Sequence, residues 1–437
     1  MRVILILSIF IIISYIETVK YRGYNQTRRS DIMFITEKLE TKVYGEYDVI
    51  VVGAGPAGCA AAISAARNGM KTLIIDKFNC LGGMWTTGFM NPLFDYGNKG
   101  GILKELIDEH KEAKTWGGFW NMSFNYEYMK HFLDVKMKES GAEVLLNTYF
   151  AKTLVENKSV KGIIFENIEG RFAALSKVVI DASGDGNVAA SAGCEFMIGE
   201  DGDYTKCQAM TLMFLVGNIP EKYKDGLMIF EKLDHAYKKA GKVLPFKVPY
   251  LIPVPNSKFG VVQFTHMYDY NPLSAKDITA ATEEGRQQML DAFTALKEYD
   301  EEFKDLDLIS SSNVLGVRES RRIVGEYILT ADDILNGRRF YDGIAEATFN
   351  VDIHTKDNKG QKTKGVQPYD IPFRCLIPKG FEGILTAGRC ISGDQVAMAS
   401  YRVTGNCCQM GEAAGKYAAQ AIKNSISLRN VFAKQDS

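Results

Sequence analysis

The stretch from Tyr47 to Asp76 constrains the fold of this chain more than any other part of the sequence. A short apolar run, Val49 to Val52, leads into three glycines with the G-x-G-x-x-G spacing. These are Gly53, Gly55 and Gly58. At this spacing the first glycine permits a tight turn, the second lets a pyrophosphate approach the backbone, and the third lets helix and strand pack closely. The stretch therefore predicts a strand, a turn and the start of a nucleotide-binding helix.

The residues after the glycines complete the pattern that such a turn requires. A helix is predicted from about Pro56 to Asn68, so that Pro56 and Ala57 lie where the helix amides and the positive end of the dipole face phosphates. A second strand, Thr72 to Ile75, ends at Asp76, whose carboxylate can accept hydrogen bonds from an adenosine ribose. The alternative is a glycine turn before an ordinary core helix. The complete order of elements favours a dinucleotide site.

A second glycine loop, from Lys77 to Gly88, follows the second strand. Paired glycines let the backbone pass close to a flat or charged ligand, and in flavoproteins a loop at this place lies along the pyrophosphate and ribityl chain. The loop favours FAD over NAD as the cofactor. A surface loop is the alternative, and the neighbouring Met, Trp and Phe side chains argue against it. The residues predicted to contact the cofactor are Lys77, Gly82, Gly83, Met84 and Thr86.

Small residues recur from Asp181 to Gly186, directly after an apolar run. They predict that the backbone approaches the phosphates a second time, through Ala182, Ser183 and Gly184. A helix cap at Asp185 also fits this segment. Three short apolar runs predict a small antiparallel sheet that crosses back to the nucleotide fold. They are Val144–Leu146, Val160–Phe165 and Phe172–Ile180.

The last part of the chain returns to the cofactor fold. A strand over Gly383 to Ala387 precedes a glycine–arginine turn, and a helix rich in small residues is predicted from about Val403 to Ile422. Small residues allow this helix to pack closely on the nucleotide sheet, with its N-terminus towards the flavin. A C-terminal core helix is the alternative. The residues predicted to contact the cofactor are Gly388, Arg389, Val403, Thr404 and Asn406.

Residues 205–364 lack the glycine signature and predict a separate unit that covers the substrate. Arg318 lies in a cationic segment, and the planar fork of an arginine binds carboxylates in two places at once. His354 is a candidate proton carrier because imidazole titrates near neutral pH. Arg318, His354 and Arg402 are therefore predicted to bind substrate and move protons. A salt-bridged segment and a structural histidine are the alternatives.

The chain resembles the FAD-dependent oxidoreductase family found widely in bacterial genomes. The matching pieces lie in the family's order from about residue 45 to 425. They are Tyr47–Gly58, Leu81–Met84 with Thr86, Asp181–Gly186, Arg318–Gly325, Asp352–His354, Tyr369–Pro378 and Ala387–Ser392 with Tyr401–Gly415. The resemblance implies an α/β fold with a Rossmann-like FAD domain of the glutathione-reductase type, which has three layers (ββα). This domain would bind FAD and carry an inserted α+β substrate domain. It implies no particular substrate.

Four segments follow from these patterns: residues 1–32 as an apolar extension, 45–204 and 365–425 as the FAD domain, and 205–364 as the substrate domain. We expect an FAD-dependent oxidoreductase that transfers a hydride between flavin N5 and a small polar organic substrate, such as a carboxylate. The alternatives are an FAD-binding hydratase or isomerase without net redox turnover, and a non-catalytic flavin-binding redox sensor. The expected partners are the substrate and an electron donor or acceptor.

Composition bears on partners and compartment. The formal net charge of −1 over 437 residues gives no bulk field that would attract nucleic acid. The eight cysteines show no zinc or redox spacing, so no metal site is predicted and a reducing compartment is favoured. Val3 to Ile16 is almost wholly apolar, as in a signal peptide, and is short for a membrane span. We expect a cytoplasmic protein; secretion or membrane anchoring through residues 1–19 is the alternative.

Overall fold

The computed structural model describes residues 35–223, 225–358 and 360–432. The apolar extension predicted for residues 1–32 lies outside them. In the described residues the α-helices are α1 Pro56–Arg67, α2 Gly101–Glu112, α3 Tyr126–Ser140, α4 Asn187–Ala192, α5 Phe230–Lys239, α6 Ala275–Tyr299, α7 Ala331–Leu335, α8 Gln395–Tyr401 and α9 Thr404–Asn424.

The strands are short outside the nucleotide fold. They are β1 Lys42–Val52, β2 Thr72–Ile75, β3 Trp116–Gly117, β4 Ser123–Phe124, β5 Glu143–Leu145, β6 Tyr149–Glu156, β7 Ser159–Asn167, β8 Gly170–Asp181, β9 Phe196–Met197, β10 Phe214–Gly217, β11 Leu227–Met228, β12 Tyr250–Pro253, β13 Phe259–Gln263, β14 Asp307–Ser311, β15 Arg322–Ile323, β16 Gly343–Ala347, β17 Val351–Thr355, β18 Gly360–Lys364, β19 Tyr369–Pro372 and β20 Ile384–Thr386.

Strand β8 pairs with some neighbours in parallel and with another antiparallel. One of its edges pairs with β1 in parallel along its length. The other edge pairs antiparallel with β7 in its first part and parallel with β20 in its last three residues. The sheet has the order β5-β2-β1-β8-β7-β6, and β20 also pairs with β8. The chain therefore passes from an antiparallel meander into a parallel nucleotide-binding sheet within one strand.

The side chains of β1 alternate between two layers, as the period of a strand requires. Val49 and Val51 pack with the helices α1 and α9, while Ile50 and Val52 pack against the meander side with Val160 and other residues of β7. Helices, parallel sheet and meander form the three layers of a Rossmann-like α/β fold of the type that binds FAD, as the sequence predicts.

A second, five-stranded antiparallel sheet lies in the middle of the chain, with the order β11-β12-β13-β10-β14. Helices α5 and α6 pack on it around Phe214, Leu233 and Phe264. This is the α+β part predicted to cover the substrate. The described residues from Thr41 onward cluster as one compact unit, so the boundaries proposed at 204 and 364 stay predictions.

One local prediction for the sheets is wrong. The run Val144–Leu146 is predicted to be antiparallel, but β5 pairs with β2 in parallel and extends the nucleotide sheet. The antiparallel prediction is confirmed for the other two runs, because β7 pairs antiparallel with β8, and both join the nucleotide sheet. The error concerns a strand whose partner lies about 70 positions away in the sequence. Among the described residues, no helix combines the length and the hydropathy that crossing a membrane requires.

Candidate active site

The turn after β1 has no room for a side chain at its first and third glycines. Gly53 has a φ of +97°, and a Cβ added there would lie 2.6 Å from the carbonyl oxygen of Ala182. A Cβ added at Gly58 would lie 1.7 Å from the carbonyl oxygen of Gly53. The first and third glycines are therefore required by close packing between the turn, helix α1 and the segment after β8.

Gly55 has the opposite surroundings. Gly55 is the N-cap of α1, and a Cβ added there meets no atom within 4 Å. The second glycine loop lies beside it, because Gly82 N–H donates to Ala54 O at 2.7 Å and a Cβ at Gly83 would lie 2.9 Å from Gly55 Cα. Open space at a helix N-terminus bounded by glycines fits a pyrophosphate.

The carboxylate of Asp76 lies under the glycine turn. Its Oδ2 accepts a hydrogen bond from Ala54 N–H at 2.5 Å, and its Oδ1 accepts one from Phe78 N–H at 2.8 Å. Burial raises the pKa of Asp76 in spite of these bonds. A carboxylate has about four acceptor positions, so two remain for the ribose hydroxyls that the sequence assigns to it.

The small-residue turn after β8 is fixed by Asp181, which caps helix α4. Asp181 accepts hydrogen bonds from the Ser183 hydroxyl at 2.6 Å and from Ala189 N–H at 2.9 Å. The predicted cap at Asp185 is wrong, because the carboxylate of Asp185 instead binds Arg389 at 2.7 Å. The capping carboxylate is the one at the end of the strand, where it is fully buried.

The C-terminal segments close around the same turn. Gly184 has a φ of +77°, and a Cβ there would lie 3.0 Å from Nη2 of Arg389. Gly388 has a φ of +91°, and its Cβ would lie 3.2 Å from the Cβ of Ala57. The glycines predicted from separate parts of the sequence therefore meet at one place, beside the N-terminus of α1.

Helix α9 begins at this place with unpaired polar groups. Val403 is its N-cap, and the hydroxyl of Thr404 is buried without a hydrogen-bond partner. Asn406 is fully buried, and both its Oδ1 and its Nδ2 lack a partner. Buried polar atoms are normally paired, so an amide with both ends unpaired fits a ligand that offers a donor and an acceptor. The isoalloxazine of FAD offers both.

The other side chains of the second glycine loop bind within the protein. Thr86 donates its hydroxyl to Leu81 O at 2.6 Å. The methyl end of Met84 lies 3.3 Å from a Cβ added at Gly316, and Lys77 Nζ lies 5.1 Å from the Phe78 ring centroid. The contacts of these three residues with the cofactor stay predictions.

The three residues predicted to act on the substrate lie near one carboxylate, Asp352. Its Oδ2 lies 3.1 Å from Nε2 of His354 and 3.4 Å from Nη2 of Arg402. Arg402 also donates to Asp352 O at 3.0 Å and to Gln208 Oε1 at 3.3 Å. Arg402 is the C-cap of α8, directly before Val403, so this polar cluster adjoins the predicted flavin segment.

Arg318 reaches the same cluster from the loop before β15. Its Nη1 donates to Ala209 O at 2.8 Å and to Thr211 Oγ1 at 2.6 Å. Its Nε and Nη2 form no hydrogen bond with a described residue. They are not fully buried, so they face accessible space. Arg402 pairs with Asp352, whereas no salt bridge of Arg318 occurs among the described residues.

Burial controls the electrostatics of this cluster. It lowers the pKa of Arg318 to about 9, helped by the like charge of Arg402. It also lowers the pKa of His354 to about 4, helped by the charge of Arg318. Burial alone would raise the pKa of Asp352, but the hydrogen bond with His354 and the charges of both arginines hold it well below its usual range. At pH 7 Arg318 and Arg402 are thus cations beside the Asp352 carboxylate and the neutral imidazole of His354.

Sequence reasoning missed three members of the cluster: Asp352, Gln208 and His266. Asp352 had a signal, because it precedes His354 by two residues on a strand and so shares its face. Gln208, whose Oε1 accepts from His354 N–H at 3.2 Å, carried no local signal. His266, 88 positions away, lies 2.9 Å from His354 and also had none.

With this geometry established, the comparisons with known proteins define the class. The model of the FAD dependent oxidoreductase family matches residues 48–435. The chain therefore belongs to the FAD dependent oxidoreductase family, and its cofactor is FAD. The open space at Gly55 and the unpaired amide of Asn406 fit that cofactor.

Curated relatives match about a third of the chain or less. A thiamine thiazole synthase of Aeropyrum pernix is 40% identical over 119 residues, which are 27% of this chain and 43% of that protein. A digeranylgeranylglycerophospholipid reductase of Methanocella arvoryzae is 30% identical over 162 residues, 32% of this chain and 39% of that protein. The chain thus spans about two fifths of the length of these relatives.

Solved structures are similar over most of the chain at low identity. The flavin-dependent brominase Bmp2 has a TM-score of 0.48 and 16% identity, covering 90% of this chain and 80% of its own. A geranylgeranyl bacteriochlorophyll reductase-like protein of Thermoplasma acidophilum has a TM-score of 0.46 and 16% identity, covering 90% and 81%.

Proposed function

We propose that this oxidoreductase transfers a hydride between FAD and a small polar organic substrate that carries a carboxylate. FAD supplies the hydride-transferring group when it is bound, and the protein supplies binding, orientation and charge. The observation that carries the proposal is Arg318, a buried guanidinium that forms no salt bridge with a described residue and lies beside the segments proposed to hold the cofactor.

The charges around the cluster support an anionic ligand. Three arginines nearby have carboxylates of their own: Arg322 with Glu319, Arg389 with Asp185, and Arg402 with Asp352. Half-buried Arg321 instead donates to Asp185 O at 3.0 Å and to Asn187 Oδ1 at 3.2 Å. A buried cation without a counter-ion is costly in folding free energy, and such groups concentrate at functional sites. A substrate carboxylate that accepts hydrogen bonds from Nε and Nη2 of Arg318 would supply the missing negative charge and use the planar geometry of the guanidinium.

The remaining side chains have separate roles in this proposal. Gly53, Gly55 and Gly58 hold the pyrophosphate of FAD, and Asn406 binds the flavin edge through its unpaired amide. Arg402 and Asp352 bind each other and orient His354. His354 takes up or releases the proton that accompanies hydride transfer, since imidazole can carry a proton in either direction.

The proposal is tested by an anaerobic screen of small carboxylic acids with the purified holoprotein, followed by flavin absorbance. Bleaching of the flavin bands by a carboxylate, or reoxidation of a chemically reduced sample, supports it. Conversion of a substrate without bleaching would instead indicate the hydratase or isomerase alternative. Slow reoxidation with no turnover of any compound would indicate the redox sensor.

A further inference from the structure

The short segment before β10, residues 209–211, is paired with two other parts of the chain. Met210 exchanges two backbone hydrogen bonds with Met267, at 2.9 and 3.0 Å, and Thr211 exchanges two with Gly316, at 3.1 and 2.7 Å. Both pairs are antiparallel. The segment therefore holds the residues after β13 close to the loop that carries Arg318.

Tyr268 and Arg318 both lie next to Ala209. In an antiparallel pair the residue after Met267 faces the residue before Met210, which makes Tyr268 and Ala209 neighbours. The guanidinium of Arg318 reaches the same residue, because its Nη1 donates to the carbonyl oxygen of Ala209 at 2.8 Å. A phenol and a guanidinium from distant parts of the sequence thus meet at one buried alanine.

The ring of Tyr268 lies within the candidate active site. Its centroid is 6.0 Å from that of His266, and a ring nitrogen of His266 lies 2.9 Å from one of His354. Burial raises the pKa of the Tyr268 hydroxyl to about 12, and the nearby charge of Arg318 opposes this rise. The hydroxyl therefore keeps its hydrogen at neutral pH and is close enough to the guanidinium to interact with its charge.

The Tyr268 hydroxyl has a distant acceptor in the described part of the chain. It lies 3.5 Å from the carbonyl oxygen of Pro245, whereas an O–H···O bond in a protein is about 2.5–3.0 Å long. Tyr270, two positions further along, shows the usual geometry, since its hydroxyl donates to Glu284 at 2.7 Å. The donor of Tyr268 is therefore available to a ligand, as are Nε and Nη2 of Arg318.

We propose that Tyr268 is a second substrate-binding residue, whose hydroxyl donates a hydrogen bond to the same carboxylate that Arg318 binds. A carboxylate has about four acceptor positions on its two oxygens, so two N–H groups of the guanidinium leave room for the hydroxyl. Hydrogen bonds to a charged acceptor are shorter and stronger than those between neutral groups. A bound carboxylate would therefore replace the weak contact with Pro245. The proposal deepens the proposed function and rests on it for the carboxylate.

The test measures binding without turnover. The full-length holoprotein is titrated at pH 7 with acetate, pyruvate and benzoate by isothermal titration calorimetry, because none of these carboxylates carries an oxidisable alcohol or amine. Tyr268→Phe removes the hydroxyl and keeps the ring, and Arg318→Met removes the guanidinium. Tyr270→Phe, which removes a hydroxyl bound to Glu284, is the matched control. FAD content and circular dichroism confirm that each variant folds.

We expect the Kd of a bound carboxylate to rise about 10-fold in Tyr268→Phe and about 10- to 100-fold in Arg318→Met, and to stay within about twofold in Tyr270→Phe. A Kd raised in Arg318→Met but unchanged in Tyr268→Phe would overturn this proposal alone and assign the hydroxyl to Pro245. Failure of all three carboxylates to bind the wild type would instead contradict the carboxylate of the proposed function, and this proposal would fall with it.

Discussion

Oδ2 of Asp352 lies 3.4 Å from Nη2 of Arg402, and this pairing leaves Arg318 as the cation available to a ligand. Both guanidinium groups are buried beside a single carboxylate, and only Arg402 forms a salt bridge with it. We therefore expect the two arginines to contribute differently to substrate binding. Arg402 is neutralised within the protein, whereas two nitrogens of Arg318 face accessible space. This difference leads to the first prediction.

Replacing Arg318 with methionine should raise the KM for a carboxylate substrate about 10- to 100-fold, because hydrogen bonds to charged groups contribute about 1.5–3 kcal/mol. FAD should stay bound, since Arg318 contacts Ala209 and Thr211 rather than the glycine segments. Arg286→Ala, which removes an exposed arginine of α6, is the control and should leave KM unchanged. Loss of FAD with an unaltered KM would give Arg318 a structural role.

Replacing Gly55 with alanine should separate folding from cofactor binding. The backbone of Gly55 is extended, with φ of −71°, and an added Cβ meets no protein atom within 4 Å, so the apoprotein should keep its stability within about 1 kcal/mol. The methyl group would occupy the space assigned to the pyrophosphate, and the Kd for FAD should rise by about tenfold or more.

Gly97→Ala is the matched control for this substitution, because an added Cβ there also meets no atom within 4 Å. It should change neither the thermal midpoint of the apoprotein nor the Kd measured by flavin fluorescence quenching. If Gly55→Ala binds FAD as tightly as Gly97→Ala does, the pyrophosphate does not pass the Gly55 backbone.

Replacing Asn406 with leucine should have opposite effects on the two states of the protein. In the apoprotein the change removes a buried amide with no partner, so the free energy of unfolding should stay equal or rise by about 1–2 kcal/mol. In the holoprotein it removes the amide assigned to the flavin, and the Kd for FAD should rise. Urea titration of both states measures the two effects, and destabilisation of the apoprotein would show that Asn406 is already paired within the fold.

The buried histidines predict a loss of stability at mildly acidic pH. Burial lowers the pKa of His110 from 6.5 to about 3, and the unfolded chain therefore binds a proton below pH 6.5 that the native state does not. Stability is lost as the pH falls through this range and levels off near the folded pKa. Between pH 7 and pH 5 this one residue should cost about 2 kcal/mol.

His110→Asn keeps an acceptor or donor near Thr115 Oγ1, which lies 2.8 Å from Nδ1 of His110, and should lose about 2 kcal/mol less than the wild type over this pH range. His131→Asn, at an exposed histidine, is the matched control and should follow the wild type. Urea unfolding at both pH values gives the comparison. Equal pH dependence in all three proteins would mean that His110 binds its proton in the native state.

The sequence predicts the nucleotide half of this fold because its signals are local. The glycine turn, the apolar strands on either side of it and the small-residue helix all follow from residues a few positions apart. The helix predicted from about Pro56 to Asn68 is observed over Pro56–Arg67. The parallel pairing of β5 with β2 could not be predicted, because it depends on a partner about 70 positions away. The capping role of Asp181 was missed for a related reason: Asp185 fits the local cap pattern, but its charge is used by the distant Arg389.

The candidate active site was predicted in part. Arginine and histidine in motif-like surroundings indicated Arg318, His354 and Arg402, and these lie around one carboxylate. His266 carries no motif, and only the fold brings it 2.9 Å from His354. Contacts that join separate elements in this way leave little trace in a single sequence.

The visible spectrum of the purified protein, with the FAD content measured after denaturation, tests the central claim most directly. Because the glycine segments from both ends of the chain converge beside α1, we predict flavin absorption bands and about one FAD per chain, as expected of a single nucleotide site. A colourless protein that stays without flavin after refolding with excess FAD would contradict the account.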